Sequence, residues 1–412
     1  MIELMDLNRE LLLKKFYILG LLLLTSQLLS CKSTKTTSTD VTFNVNYLYL
    51  DNLYPSYKET LIESESDIFS LDVEMRLLVK NKLKAGKNIA LKDQVARLVD
   101  EIFSNENISL DYVYGANLTA KQTYHSGTAN CLSLTILAYA LATEANMDVK
   151  FQNIKIPEYW VRNKNYNMLT GHVNLLVSQK NNRDRKLLFS KGTLQIDFDP
   201  NISKKHLPKK VIDKRRVLAL FYNNKGAQAL VDIDYNKAYA YFKAAAKVDP
   251  SHSNTWGNLG VLYRLSGKVN HAKLAYQHAV KLDKSNFTAK TNLSIIYRME
   301  GKLNKADRIE KLLLSQRMNN PYYYALLADE AFYNHDIELA IKNYKKAIKL
   351  NKDVHEFYFQ LAKVYFQSEQ LTLARKTIKK AIELNKTPAT ENRYLAKLNY
   401  IKYVESIDES IN

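Results

Sequence analysis

Two cysteines in 412 residues leave no material for a disulfide framework. No pair of histidines or cysteines stands at the short spacings that zinc sites prefer, so the sequence calls for no metal and no cofactor. Glycine (11) and proline (7) are scarce, which excludes a chain rich in tight turns and points to long helices. Negative charge is in deficit: 60 Lys and Arg against 42 Asp and Glu leave +18, a balance that favours anionic partners such as nucleic acid, acidic headgroups or acidic polymers. The basic run Ser203–Arg216, SKKHLPKKVIDKRR, has no aromatic residue among its charges, which argues against single-stranded nucleic acid as that partner. It reads as a linker, or else as a landing patch for membrane or substrate anions. What is present is a 46% hydrophobic, 25% charged composition, enough for a sizeable core and two or three domains.

Near the amino terminus, Lys14 and Lys15 precede an apolar run from Phe16 to Leu24, then Leu28-Leu29-Ser30-Cys31. Nine apolar residues fall short of the about 20 that span a bilayer, so the stretch reads as an export signal. A small residue before the cysteine and leucine three positions upstream resemble the bacterial lipobox. That resemblance implies cleavage before Cys31, lipidation of Cys31 and, with Lys32 following, the periplasmic face of the outer membrane. Ser33–Asp40 is a polar tether. With Cys31 lipidated, Cys131 is a lone free thiol, to be buried or used.

Cys131 opens the stretch CLSLTILAYALATEA, in which Leu132, Leu134, Ile136, Leu137, Ala140 and Leu141 recur at helical spacing behind the turn and cap residues Gly127, Thr128 and Asn130. A thiol in a first helical turn feels the positive end of the helix dipole, which favours the attacking thiolate. Upstream, helices are expected from Ser66-Asp67 to about Leu83 and from Leu91 to Phe103. Downstream, GHVNLLVS (171–178) sets Val173, Leu175 and Val177 against His172, Asn174 and Leu176. Thr193–Asp199 sets Leu194, Ile196 and Phe198 against Thr193, Gln195, Asp197 and Asp199. Paired as neighbouring strands, they carry a histidine and an aspartate on one face.

The order cysteine on a helix, histidine on a strand and aspartate on the next resembles the transglutaminase-like superfamily, carried by ANCLSLTILAYALA, GHVNLLV and QIDFDP. The resemblance implies a papain-like α+β fold with Cys131 as nucleophile, His172 as base and acid, and Asp197 as orienting carboxylate, Asp199 being the alternative. Gln122 and Asn130 are candidates to assist the oxyanion beside the Cys131 amide. His125 is a rival base placed in a loop before the helix. The family's glycine two residues before the cysteine is Ala129 here.

From Phe221 a 34-residue period sets in: alanines at 238, 272, 306, 340 and 374, leucines at 259, 293, 327 and 361, and aromatics at 242, 276 and 344. This is the signature of about five tetratricopeptide repeats. The first copy has Lys225 where leucine belongs, and another has Glu310 and Leu313 in place of the aromatic and the alanine. Asn258, Asn292 and Tyr324 are candidates for a partner-binding face.

The whole therefore reads as a signal peptide (1–30), a lipidated cysteine and tether (31–45), a transglutaminase-like domain (46–202), a basic linker (203–220), repeats (221–387) and a capping helix (388–412). The expected fold class is an α+β papain/transglutaminase-like domain followed by an all-α tetratricopeptide superhelix. The expected function is hydrolysis or transfer of amide or isopeptide bonds through a thioester, with the repeats recruiting a protein or peptide and a lipid anchor holding the membrane. The alternative is a non-catalytic lipoprotein scaffold. Oligomeric state and substrate are not written in the sequence.

Overall fold

A computed structural model describes residues 2–3, 45–84, 89–103, 111–112, 115–156, 158–163, 166–178, 193–198, 207–385 and 388–411. Cys31, Asp199 and the expected leader apart from Ile2–Glu3 lie outside them.

Three short helices form the first layer. In a reciprocal capping box, the Ser64 side chain accepts the Asp67 N–H and the Asp67 carboxylate accepts the Ser64 N–H, which starts α1 (Glu65–Phe69). The single helix expected through Leu83 is broken at extended Ser70. Asp72 then accepts the Met75 N–H at 2.9 Å and begins a new helix, α2 (Val73–Leu78), which widens into a π-helical turn at Val79–Leu83. A second good N-cap competing inside an apolar stretch is the physical reason for the break. The third, α3, spans Leu91–Phe103 as its apolar spacing predicts.

The next helix, α4 (Ala120–Ser126), is capped by Thr119 and ends at Gly127, whose φ of +64° is the left-handed conformation that glycine adopts without strain. Asn130 then caps α5 (Cys131–Glu144). The strands are β1 (Asp148–Ile154), β2 (Trp160–Asn163), β3 (Tyr166–Leu169), β4 (His172–Ser178), β5 (Thr193–Ile196) and β6 (Lys209–Ile212), with β1 and β4 packed behind α5. Four of these make an antiparallel sheet in the order β5-β4-β1-β6, and β2 and β3 form a separate hairpin to which Ile2–Glu3 pair along β3. The register Leu175↔Ile196 and Leu176↔Gln195 puts Val173, Leu175, Val177 and Ile196 into one core with Leu132, Ile136 and Leu137 of α5. Tyr139 stacks on Phe151 at 4.2 Å across the same interface.

The basic stretch does not form the expected linker. Lys209–Ile212 pairs with Phe151–Ile154 as the edge strand β6, and Asp213 accepts the Arg216 N–H to start α6 (Lys214–Val231). Lysines suit a sheet edge because they stay in solvent and discourage further strand addition. Val217, Leu218 and Phe221 of α6 enter the same core as α5, so the first repeat is fused to the sheet domain.

Five antiparallel helix pairs follow: α6 with α7 (Tyr235–Val248), α8 (Ser253–Leu265) with α9 (Val269–Leu282), α10 (Phe287–Met299) with α11 (Leu303–Arg317), α12 (Pro321–Tyr333) with α13 (Ile337–Leu350), and α14 (His355–Gln367) with α15 (Leu371–Leu384). A last helix, α16 (Pro388–Ile411), packs on α15. The five in-register alanines, 238 to 374, are fully buried. Gly226 and Gly260 let the paired helix close in: a Cβ there would meet the Phe242 ring at 2.6 Å and the Tyr276 ring at 2.5 Å.

Val45–Glu59, expected from residue 46 on to belong to the sheet domain, instead lies as three 3-10 turns against α7, α8 and α9. Tyr263 donates to the Leu48 carbonyl at 2.6 Å, Tyr239 and Lys243 both bond Asp51, and Tyr54 stacks on Tyr239 at 4.5 Å. These contacts form a strap over the first two repeats. Just beyond it, Glu63 pairs with Lys225 at 3.1 Å, which accounts for the lysine that breaks the repeat pattern.

Candidate active site

The site is assembled where α5 begins and β4 begins. Asn130 Oδ1 accepts the Ser133 N–H at 2.8 Å, and the Ser133 hydroxyl donates to the Ala116 carbonyl at 2.7 Å while accepting the Leu118 N–H at 2.9 Å. Residues 116–118 and the first turn of α5 are thereby locked together. The Thr135 hydroxyl lies 2.7 Å from the Cys131 carbonyl and 3.0 Å from the Val173 carbonyl, tying that turn to β4. Cys131 is half-buried, a free thiol with its sulfur 3.8 Å from the Gly171 carbonyl.

His172 Nε2 meets Asp197 Oδ1 at 2.8 Å, with side chains only 2% and 4% exposed. The second carboxylate oxygen accepts Asn174 Nδ2 at 2.9 Å and Gln195 Nε2 at 3.3 Å, and Lys209 donates to Gln195 Oε1 at 2.6 Å. Asp197 is thus fixed from two sides. Burial pulls the His172 pKa down, but hydrogen bonds to Asp197 and to Cys131, together with their negative charges, outweigh it and hold the ring up at about 10. The imidazole therefore keeps both protons at neutral pH, between the Cys131 sulfur and the Asp197 carboxylate.

Because the folded ring binds its proton more tightly than the unfolded ring, its stabilising contribution is full below about pH 6.5 and is lost as pH rises through about 10. The melting temperature of the wild type is expected to fall more steeply between those pH values than that of His172→Gln. Parallel curves in thermal unfolding would contradict the assignment.

The sequence candidates separate cleanly. Cys131, His172 and Asp197 come together, while Asp199 lies outside the described residues. Gln122 is exposed and is the third residue of α4's capping box, its Oε1 accepting the Thr119 N–H at 3.1 Å. Asn130 turns its oxygen into the cap of α5. His125 sits in α4, not in a loop, and pairs with Asp72 at 2.7 Å on the surface. Asn174, Gln195 and Lys209 were not singled out from sequence for this site. The alternation did put Asn174 and Gln195 on the face of His172 and Asp197, which was the available signal. Among the described residues no three His, Cys, Asp or Glu side chains cluster to hold a metal ion.

In the helical half, Asn258 and Asn292 are fully buried, Asn258 donating to Asn223 at 3.0 Å, so neither presents a partner-binding face as expected. Tyr324 is half-buried beneath Lys346. The model of the family described as tetratricopeptide repeat matches residues 253–286 and 355–388, and a second, described as TPR repeat, matches 328–369. The carboxy-terminal half carries tetratricopeptide repeats. Similar solved structures include the APC/C hetero-tetramer Cut9–Hcn1, 16% identical over 45% of this chain and 37% of that one, with a TM-score of 0.28. The chain thus spans little more than a third of that relative's length. Others are PilF of Pseudomonas aeruginosa (16% identical, 48% and 90% covered, TM-score 0.28) and YrrB, described as a TPR protein with an unusual peptide-binding site (15%, 42% and 90%, 0.23). No curated protein matches the chain.

Proposed function

We propose that this chain is a transglutaminase-like cysteine enzyme that cleaves or transfers amide bonds, with tetratricopeptide repeats that recruit a protein or peptide. The observation that carries the reading is the buried His172–Asp197 pair beside a half-exposed thiol at a helix amino terminus. In this reading the Cys131 thiolate adds to the amide carbonyl carbon. The Cys131 N–H at the start of α5, which has no acceptor within the helix, is suited to stabilise the oxyanion. His172 then gives its proton to the departing amine, leaving a thioester, and recovers a proton from the water or amine that resolves it.

The lipobox-like LLSC and the leader support export and anchoring through Cys31. Among the described residues no helix is long and apolar enough to cross a membrane. A lipid at Cys31 would supply the attachment, on the periplasmic face of the outer membrane.

The deciding experiment treats wild type and Cys131→Ser with a thiol-directed probe that mimics a peptide amide, locating adducts by mass spectrometry. Labelling of Cys131 in wild type alone is the expected result. A folded wild type left unlabelled, together with normal cellular function of Cys131→Ser, would replace the enzyme with a non-catalytic scaffold.

A further inference from the structure

The hairpin that leads into His172 is fastened to the repeats. At its base, Glu158 receives a two-pronged bond from Arg317, at the end of α11, with Nε to Oε2 at 2.7 Å and Nη2 to Oε1 at 3.1 Å. The Arg317 and Glu158 side chains are 5% and 16% exposed. The same guanidinium lies 5.0 Å over the Trp160 ring, Asn320 donates to the Glu158 carbonyl at 2.8 Å, and Tyr159 packs edge-on against Tyr322 of α12 at 4.8 Å. Across the base of the hairpin, the Tyr159 carbonyl accepts both the Thr170 N–H at 2.9 Å and the Thr170 hydroxyl at 3.1 Å. Thr170 is followed by Gly171, whose carbonyl faces the Cys131 sulfur, and then by His172.

We propose that Arg317 is a positioning residue for the Cys131–His172 pair, acting through Glu158 and the hairpin base; this rests on the cysteine-enzyme reading above. The repeat that supplies it is the one whose pattern is broken at Glu310 and Leu313. A buried ion pair is a poor source of stability, since well-packed apolar replacements are often neutral or better. What a forked arginine–carboxylate pair does supply is a fixed direction and distance, which a lysine, as a point charge, reproduces only in part.

The test follows iodoacetamide alkylation of the full chain as a function of pH, with the adduct located at Cys131 by peptide mass spectrometry. If the hairpin base sets His172 against the sulfur, Arg317→Met loosens the pair. Its alkylation curve then moves up by about one pH unit and the rate at pH 6 falls about tenfold, the far-ultraviolet circular dichroism being unchanged. Arg317→Lys is expected to fall between the two. A folded Arg317→Met with the wild-type curve would overturn the proposal. Should that variant fail to fold, Glu158→Gln, which keeps one acceptor oxygen, takes its place: an upward shift supports the proposal and an unmoved curve overturns it. A wild-type curve indifferent to His172→Ala overturns the cysteine-enzyme reading itself, and this proposal with it.

Discussion

In the proposed cysteine enzyme, replacing His172 by alanine is expected to slow alkylation of Cys131 at pH 6 by roughly 10²-fold and to lower amide turnover by about 10²–10⁴-fold. The first figure follows from ionisation. The thiolate is the form that is alkylated, a facing cation favours it over the thiol, and part of that gain is returned because less acidic thiolates are intrinsically more nucleophilic. The cation is His172, kept protonated up to about pH 10 against its own burial by bonds to Asp197 and Cys131. The larger loss in turnover reflects the second task proposed for it, protonating the leaving amine, which alkylation does not require. Rates of iodoacetamide labelling and of amide cleavage, measured on the same folded preparation, separate the two tasks. Equal rates for wild type and His172→Ala in both assays would remove the histidine from the chemistry.

Trp256→Ala is expected to destabilise the protein by about 3–5 kcal/mol, the range for truncating a large buried aromatic side chain. The indole is fully buried, donates to the Pro250 carbonyl at 2.8 Å, and meets His278 edge-on at 4.9 Å and Tyr49 of the strap at 5.8 Å. Its loss therefore opens a cavity shared by two repeat helices and the strap, and none of these neighbours can collapse without dragging the others. Urea unfolding checks the value, with Leu61→Ala, 92% exposed, as the comparison that should stay within about 0.5 kcal/mol of wild type. A cost below about 1.5 kcal/mol for Trp256→Ala would mean that the repeats repack freely around the gap.

The parts legible in the sequence were those fixed by local spacing. The α5 helix, the β4 strand, the alternation that aligns His172 with Asp197 and the 34-residue alanine register all follow from which neighbours along the chain share a face. What spacing does not encode is whom an exposed-looking residue meets after folding. Lys209 and Lys210 read as part of a basic linker, yet the backbone beneath them completes a sheet edge. Glu158 and Arg317 stand 159 positions apart, and nothing periodic joins them. Lys225 looked like decay of a repeat until Glu63 supplied its partner. In each case the deciding term was a polar contact across a long separation, whereas periodicity reports apolar burial alone.

The strap also dictates an order of events. Tyr263 reaches Leu48 across 215 positions and Lys243 reaches Asp51 across 192, so the earliest part of this region to leave the ribosome is among the last to settle. At about 5–20 residues per second of synthesis, Val45–Glu59 spends on the order of tens of seconds without its receptor helices. Its four tyrosines and three leucines remain wet until α9 exists, an interval in which a chaperone has first claim on them.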